Sequence, residues 1–326
     1  MDKMDEIRSC VADEMLRFED YFERTLSTRV PLADNVIHYF LDRRGKQLRP
    51  VMTLLAAKMS GGEVTEASVQ GAVALELLHN ASLMHDDVID KSDERRGVST
   101  VNKVWDNRVA VLMGDFFLSK CLVVSNSTGS LAISNILAGI VIRLSEGELE
   151  QLSNVRSHLL SEAAYFSVIS GKTASLFSAC MKVGALSVGR CEEVVEQMGQ
   201  IGELMGLIFQ IRDDIFDYYQ SSDIGKPTGH DIMEGKVTLP LLYALQHGDA
   251  EEAAKMRAIL EEGRELSAEQ VAQLVEYAKA VGGIEYAQAK MKKLAFEAKK
   301  LLSQQPESPA RDALKDLIDY FIARNH

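Results

Sequence analysis

The chain has 326 residues, enough for one large core or two ordinary ones. Only 22 glycines and 6 prolines, beside 46% hydrophobic and 26% charged residues, describe a helix-rich globular chain and exclude disorder, collagen and low complexity as overall descriptions. A net charge of −12 repels nucleic acid and other polyanions, so a phosphate-bearing ligand needs a local basic cluster.

Met1-Asp2-Lys3-Met4-Asp5-Glu6 carries charge where a signal peptide needs an apolar stretch, which predicts a cytoplasmic protein. Val69 to Leu83 reads at helical period, with Val73, Leu77 and Leu83-Met84 set among small residues. Cys121 to Ile142 is uncharged and long enough to span a bilayer. Ser125-Asn126-Ser127-Thr128-Gly129-Ser130 interrupts it, so it predicts two buried helix segments around a turn and no stable membrane anchor. Helix stops are expected at Gly61-Gly62, Gly129, Gly248, Gly263 and Gly282-Gly283. Helix starts are expected at the capping box Ser267 to Gln270 and at Ser308-Pro309. Beyond Gly248 the helices are shorter and more charged. A sheet has little support without an Asn-Gly or Asp-Gly turn between alternating runs. No linker or repeat divides the chain. The reading is a single all-α domain, residues 1–326, of roughly a dozen helices, amphipathic outer ones around apolar inner ones.

Cys10, Cys121, Cys180 and Cys191 are widely spaced and form no CxxC pair, as expected of reduced, mostly buried thiols. None has a nearby His that would suggest a nucleophile.

The helix that begins near Val69 ends in Asp86, Asp87 and Asp90. Asp86 and Asp90 stand one turn apart on one face, an arrangement that costs a few tenths of a kcal/mol without a cation between them. Asp213, Asp214 and Asp217 repeat the spacing inside another apolar helix. One such cluster is as well explained by a solvated helix end; two are not. Hard oxygens without Cys or His at metal spacing suit Mg²⁺, which bridges carboxylates to phosphates. The basic cluster that the charge argument requires is also present. Lys46 and Arg49 lie in Gly45-Lys46-Gln47-Leu48-Arg49-Pro50, and Arg95-Arg96 follows the first aspartates. Gly171-Lys172-Thr173 precedes the second set, and Lys226 and Lys236 follow it. Together they describe a pocket for Mg²⁺ and diphosphate, Arg giving two-pronged contacts and Lys point charges.

Two DDxxD motifs combined with GKxLRP, RRG, GKT and GKxTLP, in the family's motif order from about Asp34 to Leu245, resemble the trans-isoprenyl diphosphate synthases of the polyprenyl synthetase family, in particular bacterial long-chain members of the octaprenyl type. The resemblance implies an all-α isoprenoid synthase fold around a deep central cavity, as a homodimer. It implies Mg²⁺ ligands at Asp86, Asp90 and Asp213, with Asp87, Asp214 and Asp217 supporting them and about three ions once substrate is bound. Gly45, Lys46, Arg49, His79 and Arg96 match the isopentenyl diphosphate site. Arg95, Lys172, Thr173, Gln210, Lys226 and Lys236 match the allylic diphosphate site. Arg44 and Gln47 depart from the family pattern, in which a Gly and a basic residue are frequent.

The expected reaction joins isopentenyl diphosphate to an allylic prenyl diphosphate, with Arg95 and Lys172 adding fixed positive charge beside the aspartates and with no protein nucleophile. Small residues at Ala81 and Ser82, about one turn below Asp86, leave room for a long tail and predict a C30 or longer product, C40 favoured, for quinone side chains. The alternatives are a C15 or C20 synthase and a non-catalytic partner subunit. A class I terpene cyclase would lack the second aspartate motif.

Overall fold

The computed structural model describes residues 3–43, 45–95, 97–157, 160–219, 228–261 and 266–324. Arg44, Arg96, Lys226 and Gly263 lie outside the described residues. The first elements are α1 (Lys3–Ser9), α2 (Ala12–Leu26), α3 (Pro31–Leu41), α4 (Leu48–Gly61) and α5 (Glu66–Ile89). Strands β1 (Glu94–Arg95) and β2 (Val98–Ser99) follow, then α6 (Val101–Val104), α7 (Asn107–Ser127), α8 (Leu131–Ser157) and α9 (Glu162–Ile169). A π-helical turn (Ser170–Ala174) leads into α10 (Ser175–Ser187) and α11 (Glu192–Phe216). The remainder is α12 (His230–Met233), α13 (Leu239–His247), α14 (Ala250–Glu261), α15 (Ala268–Ala280), α16 (Gly283–Leu302) and α17 (Pro309–Ala323). The seventeen α-helices among the described residues exceed the rough dozen expected, and α6 and α12 are single turns.

Contacts divide the chain into two compact units. The first holds Met1–Ile142, Leu176–Gly202 and Leu301–Leu317; the second holds Arg143–Ser175, Glu203–Lys300 and Ile318–His326.

In the first unit α5 is the inner helix. Thr65 caps it in a reciprocal box with Ser68, and its 24 residues run about 36 Å at 1.5 Å each. Val69, Ala72, Val73, Ala74, Leu75, Leu77 and Leu78 are buried all round it, against α4 and above all α7. One stripe is not fully covered. Glu76, His79, Leu83 and Asp86 recur at three- and four-residue steps and are half-buried, so the face that retains access carries the first aspartates. Phe22, Phe40 and Phe117 form a chain of ring contacts with centroids 6.4 and 5.2 Å apart. Close helix contact depends on small residues: a Cβ on Gly184 of α10 would stand 2.4 Å from the Thr53 carbonyl oxygen of α4.

Two expectations need correction. A short antiparallel hairpin exists, Glu94 opposite Ser99 and Arg95 opposite Val98, with Gly97 at φ 74° in its turn. The turn contains neither Asn nor Asp, which is why the dipeptide signal missed it. The apolar run from Cys121 does form two helices around a turn, but they are not wholly buried. Cys121 and Val124 pack inward, whereas Leu122, Val123, Leu131 and Ile142 are exposed. By length and composition α7 would suffice to cross a membrane.

In the second unit α13 packs on α15, α14 and α9. Tyr277 Oη donates to the Ala244 carbonyl at 2.9 Å, and Ser267 and Gln270 make the expected capping box of α15. In the first unit the expected start at Ser308-Pro309 is made, since the Arg311 N–H donates to Ser308 Oγ at 3.1 Å.

The Gly184 contact yields a test. Gly184→Ala forces backbone apart and lowers stability by about 1–3 kcal/mol. At Gly139, where a Cβ meets nothing within 4 Å, the same change stabilises α8 by about 0.5–1 kcal/mol. Denaturant unfolding of both variants reads the contrast; equal shifts would refute it.

Candidate functional site

In the first unit the three aspartates at the end of α5 have different surroundings. Asp87 is buried, and the Arg95 guanidinium from β1 grips its Oδ1 through Nε and Nη2, both at 2.9 Å. The hairpin absent from the sequence reading is therefore what delivers Arg95. Asp86 and Asp90, one turn apart, are half-buried on the accessible face. His79, seven residues earlier, shares that face, and its carbonyl accepts from Ser82 Oγ at 2.9 Å. Ala81 is buried and Ser82 half-buried.

Gly45 and Lys46 are exposed before α4, and Arg49 in its first turn lies 5.3 Å over the Phe177 ring. Gln47 adopts a left-handed backbone at φ 51°, unusual for a residue with a side chain. Arg8 of α1 donates to its Oε1 at 3.0 Å and pairs with Glu19 at 2.5 Å. Burial pushes the Cys121 and Cys180 thiols up to about 12, too high for either to serve as a thiolate nucleophile.

The second unit contains a cavity of about 650 Å³. It brings together four residues expected for allylic diphosphate, Lys172, Thr173, Gln210 and Lys236, with Asp214, and adds Tyr165 and Asp231, which sequence reasoning missed. Lys172 and Thr173 occupy the π-helical turn, a wide coil that presents side chains off the normal helical register. Gly147 of α8 permits it, because a Cβ there would meet the Lys172 nitrogen at 2.9 Å. A relay of hydrogen bonds crosses the cavity wall. Thr173 Oγ1 donates to Gln210 Oε1 at 2.7 Å, Gln210 Nε2 donates to Asp214 Oδ1 at 2.8 Å, and Tyr165 Oη donates to Asp214 Oδ2 at 2.6 Å.

Burial pushes the Asp214 carboxyl up to about 7. The Tyr165 and Gln210 bonds oppose that shift, and the charges of Asp213 and Asp217 reinforce it. Asp231 is pushed well above its ordinary value by burial and then by Asp214 and Asp217. The Lys236 charge opposes the Asp231 shift in part; Lys236 is also paired with Glu234, and Lys172 with Glu148, each at 2.5 Å.

The three aspartates of the second motif are put to three uses. Asp214 faces the cavity. Asp217 Oδ1 and Oδ2 accept the backbone N–H groups of His230 and Asp231 at 2.9 and 3.0 Å, anchoring the segment that leads to Lys236. Asp213 accepts from Arg324 at 2.5 Å.

A family model described as Polyprenyl synthetase matches residues 30–278. The chain belongs to the polyprenyl synthetase family. Similar relatives include an octaprenyl diphosphate synthase of Haemophilus influenzae, 36% identical over 99% of this chain and 98% of that protein. A heptaprenyl diphosphate synthase component 2 of Geobacillus stearothermophilus is 35% identical over 99% of this chain and all of that one. Among solved structures, a polyprenyl synthase of Caulobacter crescentus, complexed with calcium and isoprenyl diphosphate, superposes with a TM-score of 0.92 at 31% identity over 99% and 98% of the two chains. A geranylgeranyl pyrophosphate synthase of Bacteroides thetaiotaomicron does so at 0.86 and 40% identity over 99% and 100%. The fold is that of these synthases, and the chain is a prenyltransferase.

The family's use of a divalent cation can be tested on the donor set. Its oxygens suit a hard ion, and a cation beside the buried Asp214 and Asp231 would favour their ionised, ligating form. Among the described residues no three or more His, Cys, Asp or Glu side chains are grouped to hold an ion by themselves. A hard divalent ion such as Mg²⁺ needs no such grouping, since it takes one or two carboxylates and leaves its other positions to phosphate oxygens and water. The residues fit the ion.

Sequence signals existed for part of what was missed. Asp231 and Glu234 lie three residues apart, just before Gly235-Lys236. Arg324 stands 111 residues from Asp213 with nothing local to mark it.

The relay generates a test. Tyr165→Phe takes a donor from the buried Asp214 and costs about 1–3 kcal/mol in denaturant unfolding; a change below about 0.5 kcal/mol would show that the bond contributes nothing.

Proposed function

We propose that the chain is a Mg²⁺-dependent synthase that condenses isopentenyl diphosphate with an allylic prenyl diphosphate into an all-trans polyprenyl diphosphate of C30 or longer, C40 favoured, for quinone side chains. Residues 1–326 act as one catalytic domain, and the family match, which runs through both units, supports this. The observation that carries the reading is the pair of aspartate clusters, each set in an apolar helix and each accompanied by arginine or lysine.

Asp86, Asp90 and Asp213 would hold Mg²⁺, about three ions with substrate, and the metal would neutralise diphosphate as a leaving group. Asp87 keeps Arg95 oriented through the paired bonds at 2.9 Å, so the guanidinium is positioned before substrate arrives. Lys172 and Lys236 provide point charges that can leave Glu148 and Glu234 for a diphosphate, and the Thr173–Gln210–Asp214 relay fixes the wall between them. Asp217 sets the height of the Lys236 segment. Lys46, Arg49 and His79, with Gly45, hold isopentenyl diphosphate; Arg96 and Lys226 complete the two sets. Departure of diphosphate leaves an allylic cation, which the apolar walls shield from water. The isopentenyl double bond attacks C1, and the released diphosphate takes the proton. The high thiol values at Cys121 and Cys180 agree with a reaction that needs no protein nucleophile.

Ala81 and Ser82, both small, support the long product, as do relatives named for octaprenyl and heptaprenyl chains. A C20 product is the second reading, favoured by the solved relative at 40% identity that is named for geranylgeranyl pyrophosphate. The intact clusters argue against a non-catalytic subunit.

Purified protein with labelled isopentenyl diphosphate, farnesyl diphosphate and Mg²⁺ is expected to give products of C30 or longer, abolished by EDTA. Asp86→Ala and Asp213→Ala are each expected to slow turnover about a hundredfold or more with unchanged helicity. Ala81→Phe shortens the product on chromatography. Elongation in EDTA would remove the metal, and a C20 product from the unaltered protein would leave the second reading standing.

The working form is a cytoplasmic homodimer that binds no nucleic acid and has no stable membrane anchor. Leu112 and Val123 on α7 are 66% and 62% exposed and lie eleven residues, three turns, apart on one face, which supports a second copy as its cover. Sedimentation should give a dimer that Leu112→Glu with Val123→Glu converts to monomer; a monomeric parent would overturn the assignment.

A further inference from the structure

Arg324, the residue after α17, is a built contact in the second unit. Its side chain is only 10% exposed, and its guanidinium lies 3.9 Å over the Phe209 ring. Nη2 donates to the Phe209 carbonyl at 2.9 Å and to Asp213 Oδ1 at 2.5 Å. Arg212 returns the grip, its Nε and Nη2 donating to the Arg324 carbonyl at 3.1 and 2.7 Å while it stacks 4.5 Å over Phe216. Phe321, one turn earlier, meets Phe209 edge-on at 5.3 Å. The end of the last helix is thus fastened to the helix of the second motif by two arginines and two aromatic contacts, and the fastening falls on Asp213.

We propose that Arg324 is the resident cation of Asp213, and that a divalent ion entering the second cluster displaces its guanidinium from Oδ1. The inference rests on the metal role proposed above for Asp213. The Asp213 side chain is 41% exposed, so an ion can approach it without unfolding anything. A divalent ion and a guanidinium on one carboxylate place like charges a few ångströms apart in a half-buried setting, where water screens them poorly. The ion therefore has to outcompete a preorganised, stacked cation. A bare ion does so weakly. An ion that arrives with diphosphate does so readily, since its ligand brings negative charge of its own. Displacement also removes one of the ties on residues 320–324, where the Arg324 N–H donates to the Tyr320 carbonyl at 2.9 Å, so metal loading loosens this last turn.

Mn²⁺ alone, titrated by water-proton relaxation in an Asp86→Asn, Asp90→Asn background, reads the second cluster. Arg324→Met, which keeps the stacking and removes the charge, is expected to tighten Mn²⁺ binding about tenfold. Unchanged or weaker binding, or none, overturns the inference. Adding Asp213→Asn is expected to abolish the gain; if Mn²⁺ binds equally well without that carboxylate, the metal role itself has failed, and the inference with it. Amide exchange in the unaltered protein gives a second reading that needs no variant to fold. Residues 320–324 are expected to exchange faster with saturating Mn²⁺, and unchanged protection counts against displacement.

Discussion

A carboxylate inside an apolar helix is stable only if something takes up its charge, and this constraint organises both units. Asp87 meets it through Arg95, Asp213 through Arg324, and Asp217 through two backbone N–H groups. Asp214 meets it least well. Two neutral donors are not enough to offset full burial beside two other aspartates, and its carboxyl lies near 7 instead of in the usual carboxylate range. A cation brought into the cavity that holds it would favour its ionised form.

The cations follow the same economy. Lys172 and Lys236 each rest on a neighbouring glutamate, contacts that cost little to exchange for a diphosphate because both partners keep some access to water. Arg95 is different, fixed by both nitrogens to a buried acid. Each lysine is held through a single ammonium, whereas Arg95 is held through two nitrogens of one fork. The distinction follows from geometry: a guanidinium can hold a carboxylate with one edge and present another, whereas an ammonium is a single point.

Much of this was legible in the sequence. The repeated spacing of Asp86 to Asp90 and Asp213 to Asp217, the basic tripeptides beside them and the capping residues at Ser267 and Ser308 all depend on neighbours within a turn or two, and the local helix honours them. The hairpin at Glu94 to Ser99 was not legible, because its strands are two residues each and its turn uses Gly97 without the usual partner residues. Nor was the exposure of Leu122, Val123 and Leu131, since an apolar run reads the same whether a core or a second surface covers it.

The residue types and their intervals, by themselves, determined that this is a helical chain with two sets of hard-oxygen ligands and a supply of arginine and lysine near each. Helical periodicity is a local property, so it survives translation from sequence to structure. Which aspartate faces the cavity, which caps a loop and which is held by Arg324 was decided only by the tertiary structure. Those assignments depend on contacts between elements far apart in the chain, such as Tyr165 with Asp214 and Arg324 with Asp213, and at such separations the interval between residues carries no information about which side chains meet.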